Sequence, residues 1–89
     1  MNVLLSSKTD NGAGTDCEVT DGGFKLLRIY GTWGGATVTL SVDFNGSGTF
    51  VDDSAYTADG VYYLNAKIGI TYRLTVSGVT TTSLNAEMI

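Results

Sequence analysis

Asp43, Asn45, Ser47 and Gly48, in the stretch DFNGSGTF, fall at the first, third, fifth and sixth places of an EF-hand calcium loop. That spacing converges oxygen ligands on a cation and puts a glycine at the sharp turn. The twelfth place is Ser54, where a bidentate acid is needed, and Asp53 comes one residue early. The residues before Asp43 read as a strand rather than a helix, so a full EF-hand is excluded. A weak cation site from Asp43, Asn45 and Asp52 or Asp53 stays open. Asn45-Gly46-Ser47 is also a glycosylation sequon, which acts only in a secreted protein. Asn45-Gly46 suits a tight hairpin turn, because both residues tolerate positive φ. The hairpin is the reading carried forward.

Other reactive groups are few. Cys17 is the only cysteine and the chain has no histidine, so no disulfide forms within it and the thiol has no imidazole partner. Cys17 is expected to be a small, partly buried side chain and not a nucleophile. Asp52 and Asp53 are the only adjacent acids, and neighbours on a strand point to opposite faces, so they make no carboxylate dyad. With no triad, metal-ligand cluster or phosphate-cradling loop, the chain is expected to be a non-enzyme without cofactor or metal.

The aromatic residues offer a second chemistry. Trp33, set among glycines in GTWGG, is either a platform for stacking on a sugar ring or an apolar plug at one end of the fold; the plug is preferred. Tyr30, Tyr56, Tyr62, Tyr63 and Tyr72 could form a binding surface or simply reflect β-propensity. Tyr72 is expected in the core, and one of Tyr62 and Tyr63 must face away from it.

The elements that position these residues read as strands. Turn signals recur at residues 10–14, 21–23, 33–35, 45–48, 59–60, 67–69 and 77–78, a spacing typical of all-β domains. ATVTLSVDF alternates strictly, with Val38, Leu40, Val42 and Phe44 on one face. TYRLTVS places Tyr72, Leu74 and Val76 inward, and TSLNAEMI does the same with Leu84, Ala86 and Met88. NVLLSS reads as a further strand. The apolar ending Met88-Ile89 predicts that the last strand pairs inside a sheet or docks on a neighbour.

Two segments are apolar on both faces. FKLLRIY sets Phe24, Leu26 and Tyr30 against Leu27 and Ile29, and VYYLNA sets Val61 and Tyr63 against Tyr62 and Leu64. So short a chain has little to cover a second face, which points to a subunit interface. The candidate contact residues are Leu27, Ile29, Trp33, Tyr62, Leu64, Met88 and Ile89.

The 89 residues allow one domain, 1–89, with one thin core. Residues are 43% hydrophobic and 16% charged, with twelve glycines, so the surface should be rich in Thr, Ser and Asn, with apolar area left over. A net charge of -4 and five scattered Lys and Arg leave no basic stripe for nucleic acid. No apolar run approaches the roughly eighteen residues of a membrane span, and MNVLLSSKTD lacks the features of a signal peptide, so export by the usual route is not expected.

The expected fold is therefore all-β: a small antiparallel β-sandwich, jelly-roll or immunoglobulin-like, with a small β-barrel as the alternative. From Tyr30 to Ala86, GTWGGATVTLSVDFNGSGTFVD, then YRLTVSG and TTSLNAEM, resemble a group of small virion accessory proteins of tailed bacteriophages. The resemblance covers about two thirds of the chain and rests on the order of the motifs. SSKTDNGAGTDCEVTDGG lies outside it. What it implies is a capsid decoration or cement protein, or a component of a head fibre or tail. Such a protein would bind the major capsid protein or another virion protein on the capsid exterior, as a homo-oligomer such as a trimer, after synthesis in the host cytoplasm. A carbohydrate-binding module of a tail or fibre, built on Trp33 with Tyr62 or Tyr63, is the alternative.

Overall fold

The alternating segments form nine strands in a computed structural model that describes residues 2–44 and 46–89. They are β1 (Asn2–Lys8), β2 (Gly12–Ala13), β3 (Cys17–Glu18), β4 (Gly23–Thr32), β5 (Thr37–Asp43), β6 (Val51–Tyr56), β7 (Gly60–Ala66), β8 (Thr71–Ser77) and β9 (Ser83–Met88). All pairings among them are antiparallel.

One sheet has the order β1-β9-β4-β7. The other has β2-β8-β5-β6, with β3 also pairing β8. If β2 and β3 are taken as one interrupted strand, every connection crosses between sheets except the β5–β6 hairpin. That is the jelly-roll arrangement of two packed sheets, not the immunoglobulin order. Among the described residues the two sheets share no hydrogen-bonded strand pair, which distinguishes the fold from a closed barrel.

Period 2 explains the core. On β5 and β8, Val38 pairs Val76 and Leu40 pairs Leu74, and all four are fully buried. On the other sheet, Leu27 pairs Met88 and Ile29 pairs Ala86, giving the facing apolar layer. Burying a Leu or Ile side chain contributes about 1.5–3 kcal/mol, so these rows carry much of the fold. β1 departs from alternation. Leu4 and Leu5 are adjacent yet both buried, because the register with β9 slips between Val3 and Leu5, and a bulge turns two neighbours inward. The expected inward positions of Val42 and Phe44 hold only in part: Val42 is half-buried, and Phe44, one residue past the end of β5, is exposed.

β9 lies between β1 and β4, so the apolar end of the chain is tied into the sheet. Backbone bonds between Leu26 and Ile89 continue the pairing one residue past the strand. On the opposite side, β4 is the only strand hydrogen-bonded to β7 among the described residues. The Tyr56 and Tyr62 rings, with centroids 4.1 Å apart, bridge the gap between the edge strands β6 and β7.

Candidate interaction surface

The outward faces of the two sheets differ in kind. On the β8–β5 sheet, Thr37, Thr39, Thr71, Arg73 and Thr75 give the polar surface the composition predicts. On the β9–β4 sheet the outward row of β4 is Phe24, Leu26, Arg28 and Tyr30, and that of β7 is Val61, Tyr63 and Asn65. Val3 and Ile89 extend this face across β1 and the end of β9. Phe24 is 81% exposed, Tyr63 78% and Ile89 63%.

One ion pair sits in the middle of this apolar face. Arg28 pairs Glu87 across β4 and β9, and the same row continues to Val3 on one side and Val61 on the other. The Arg28 guanidinium also lies 4.6 Å from the Tyr30 ring centroid, a cation–π contact that holds it flat on the sheet. Leu26, Arg28, Val61, Glu87 and Ile89 line a shallow recess of about 240 Å³. An apolar surface around a neutralised charge pair can bury against another protein without stranding a charge.

The candidate contact residues are therefore redistributed. Leu27, Ile29 and Met88 are buried core residues and offer nothing to a partner. Trp33, Tyr62 and Leu64 are half-buried and pack against the core. Ile89 alone of the seven lies on the exposed face. On both β4 and β7 the face open to contact is the alternate one. The signal was Arg28: a cation in mid-strand has to point outward, whereas Lys25, on the other face, sits near the strand end and reaches Asp21 at 3.0 Å.

Trp33 is held as a plug. Its indole N–H donates to Asp59 Oδ1 at 2.7 Å, and its carbonyl accepts from Thr82 Oγ1 at 2.8 Å. The close packing explains the glycines. Gly34 has φ +56°, and a Cβ there would run into the Thr81 carbonyl oxygen and the Thr80 hydroxyl. Tyr62 turns inward onto Tyr56 while Tyr63 points out, so the two adjacent rings face opposite sides of the sheet. Tyr72 lies in the core as expected.

The calcium-like stretch turns its donors onto itself. Asp43 Oδ1 accepts from the Ser47 backbone N–H at 3.1 Å and from Ser47 Oγ at 2.7 Å, and Oδ2 accepts from the Gly48 N–H at 3.0 Å. The Ser47 hydroxyl, then the Gly48 and Ser47 amides and the Arg73 charge, hold its carboxyl below the usual range against the opposing effect of burial. N–H groups are thus aimed at both carboxylate oxygens. Asp52 is likewise engaged, accepting from Ser41 Oγ at 2.9 Å. Asn45, with the hairpin turn and sequon readings that depend on it, lies outside the described residues.

Beside this loop, Val42, Phe44, Thr49, Val51 and Asp53 line an open groove of about 430 Å³. Arg73 lies 3.8 Å from the Phe50 ring centroid and forms a two-pronged pair with Asp16 at 2.8 and 3.0 Å. The Asp16 carboxyl is held low by that bond. Cys17 is buried opposite Tyr72, and burial pushes its thiol up, away from the reactive thiolate. Among the described residues, no three His, Cys, Asp or Glu gather as a metal site.

A scan against models of protein families, and searches of curated proteins and of solved structures, found no significant match to the chain.

Proposed function

We propose that this protein is a non-enzymatic structural component of a tailed-bacteriophage virion, a decoration protein that docks on assembled capsid subunits and stabilises the shell. The observation that carries the reading is an apolar patch on the outer face of the β9–β4 sheet, carried by β4, β7 and the chain end beside the polar β9 row Ser83, Asn85 and Glu87, with Phe24, Tyr63 and Ile89 projecting around the Arg28–Glu87 pair. A small monomer rarely leaves such a face to water unless it meets a partner. The sequence resemblance supplies the class of partner. The side chains that could do other chemistry have internal work: Asp43 closes its loop, Asp59 anchors Trp33 and Asp16 pairs Arg73.

The mechanism is mass action. A protein that binds the assembled shell and not its separated subunits stabilises the shell by RT ln(1 + [L]/Kd), about 2.7 kcal/mol per site at a hundredfold excess over Kd. The test mixes purified protein with capsids of the encoding phage assembled without it. Saturable co-sedimentation and a raised capsid melting temperature support decoration. Absence of both rejects it.

A further inference from the structure

We propose that a second copy of this chain pairs antiparallel along β7, joining two four-stranded sheets into one continuous eight-stranded sheet about a two-fold axis at Tyr63. An edge strand presents unpaired backbone groups, and natural sheets usually blunt such edges. Three of the four edges here are blunted. β1 has register slips at Val3/Leu5 and Leu5/Lys8, with Ser7 at φ +46°. β6 carries Asp52 and Asp53. β2 and β3 are two-residue fragments.

β7 has none of these devices. It runs in unbroken register with β4 from Gly60 to Ala66, contains no charged residue and no proline, and among the described residues no strand is hydrogen-bonded to its other side.

Charge selects a second copy as the occupant. Among the described residues Lys8, Lys25, Arg28 and Arg73 each have a carboxylate partner, and Lys67 has none. Antiparallel pairing centred on Tyr63 sets residue 59 opposite residue 67. Each Lys67, just past the end of β7, then meets the Asp59 that precedes β7 in the other copy. Asp59 is already fixed by accepting from Trp33 Nε1 and the Gly31 N–H, both on Oδ1, and no bond among the described residues falls on Oδ2. Two ion pairs thus close the two ends of the joint.

The side chains agree with this register. Tyr63 meets Tyr63 of the second copy on the outer face, and half-buried Tyr62 and Leu64 fall opposite one another on the inner face. A slip by one residue would set outward side chains against inward ones. The contact is isologous, so it closes at two copies and not at the three expected of a trimer. It also makes one apolar surface of twice the width.

Light scattering after size-exclusion chromatography should give twice the 9.3 kDa chain mass as concentration rises. Lys67→Glu should weaken the dimer by about tenfold or more. In a Cys17→Ala background, Tyr63→Cys should form a disulfide-linked dimer on mild oxidation, and Val61→Cys, two places from the axis, should not. A monomeric mass at every concentration overturns the pairing. Equal cross-linking of the two cysteines also overturns it, pointing to face-to-face stacking. A monomer that still binds capsids rejects the β7 joint and leaves decoration standing; a dimer that ignores capsids does the reverse.

Discussion

Replacing Phe24 with Ser probes the outer face with little risk to the fold. The residue is 81% exposed, so folding stability should change by no more than about 0.5 kcal/mol. An aromatic side chain offers roughly 200 Å², so docking can cover about 160 Å² of Phe24, a ceiling near 4 kcal/mol at about 25 cal/mol per Å². Association recovers only part of such a ceiling, and hot-spot truncations cost about 2–3 kcal/mol. Capsid affinity should therefore fall about 30- to 150-fold, at tenfold per 1.4 kcal/mol. Tyr63→Ser should act similarly, and the double variant more strongly. The assay is co-sedimentation over a concentration series, with circular dichroism melting of the free variants as the folding control. Wild-type affinity in a well-folded Phe24→Ser, Tyr63→Ser double variant would refute the assignment of this face.

Other outcomes follow from the same geometry. Asp10, Asp16, Asp21 and Asp43 all have carboxyls held below their usual range, by Lys8, Arg73, Lys25 and the Ser47 hydroxyl respectively. A carboxyl depressed in the folded state adds stability above its unfolded pKa of about 3.9 and loses it as pH falls through the folded value. The melting temperature should drop from about pH 4 downward, less steeply in Asp43→Asn, and should not differ between calcium and EDTA. Leu40→Ala, at a fully buried position facing Leu74, should cost about 2–5 kcal/mol in urea unfolding. Gly34→Ala should lower the melting point and alter the near-ultraviolet signal of Trp33, whereas Ala at Gly35, where a Cβ meets nothing, should disturb Trp33 far less. Cys17 should react with thiol reagents only as the protein unfolds.

The strands that alternate strictly were legible in the sequence. TYRLTVS and TSLNAEMI became β8 and β9 with the inward residues expected, because period 2 is imposed by the backbone itself. The bulge that buries both Leu4 and Leu5 was not legible, since no residue type marks a one-residue register slip. Ser41 and Asp43 alternate as polar outward residues yet are buried. Ser41 is engaged by Asp52 on β6, and Ser47 and Gly48 donate to the Asp43 carboxylate. These are contacts beyond the reach of strand periodicity.

The interaction face was half legible. VYYLNA carries no charge and the two cations of FKLLRIY lie on opposite faces, so only their places along the strand, Arg28 in the middle and Lys25 near the end, tell the outward face from the inward one. The stretch between β1 and β4 was opaque because β2 and β3 are too short to show a period. Gly14 sits there because a side chain would strike the Leu4 carbonyl, a constraint visible only once β1 is placed.

Hydroxyl-radical footprinting of the protein on and off the capsid tests the central claim most directly, because it reads exposed aromatic side chains one at a time. The account predicts strong protection of Phe24, Tyr30 and Tyr63 on binding, with Phe44, exposed at the far end of β5, labelled as in the free protein. Protection of Phe44 with Phe24 and Tyr63 still labelled would contradict it.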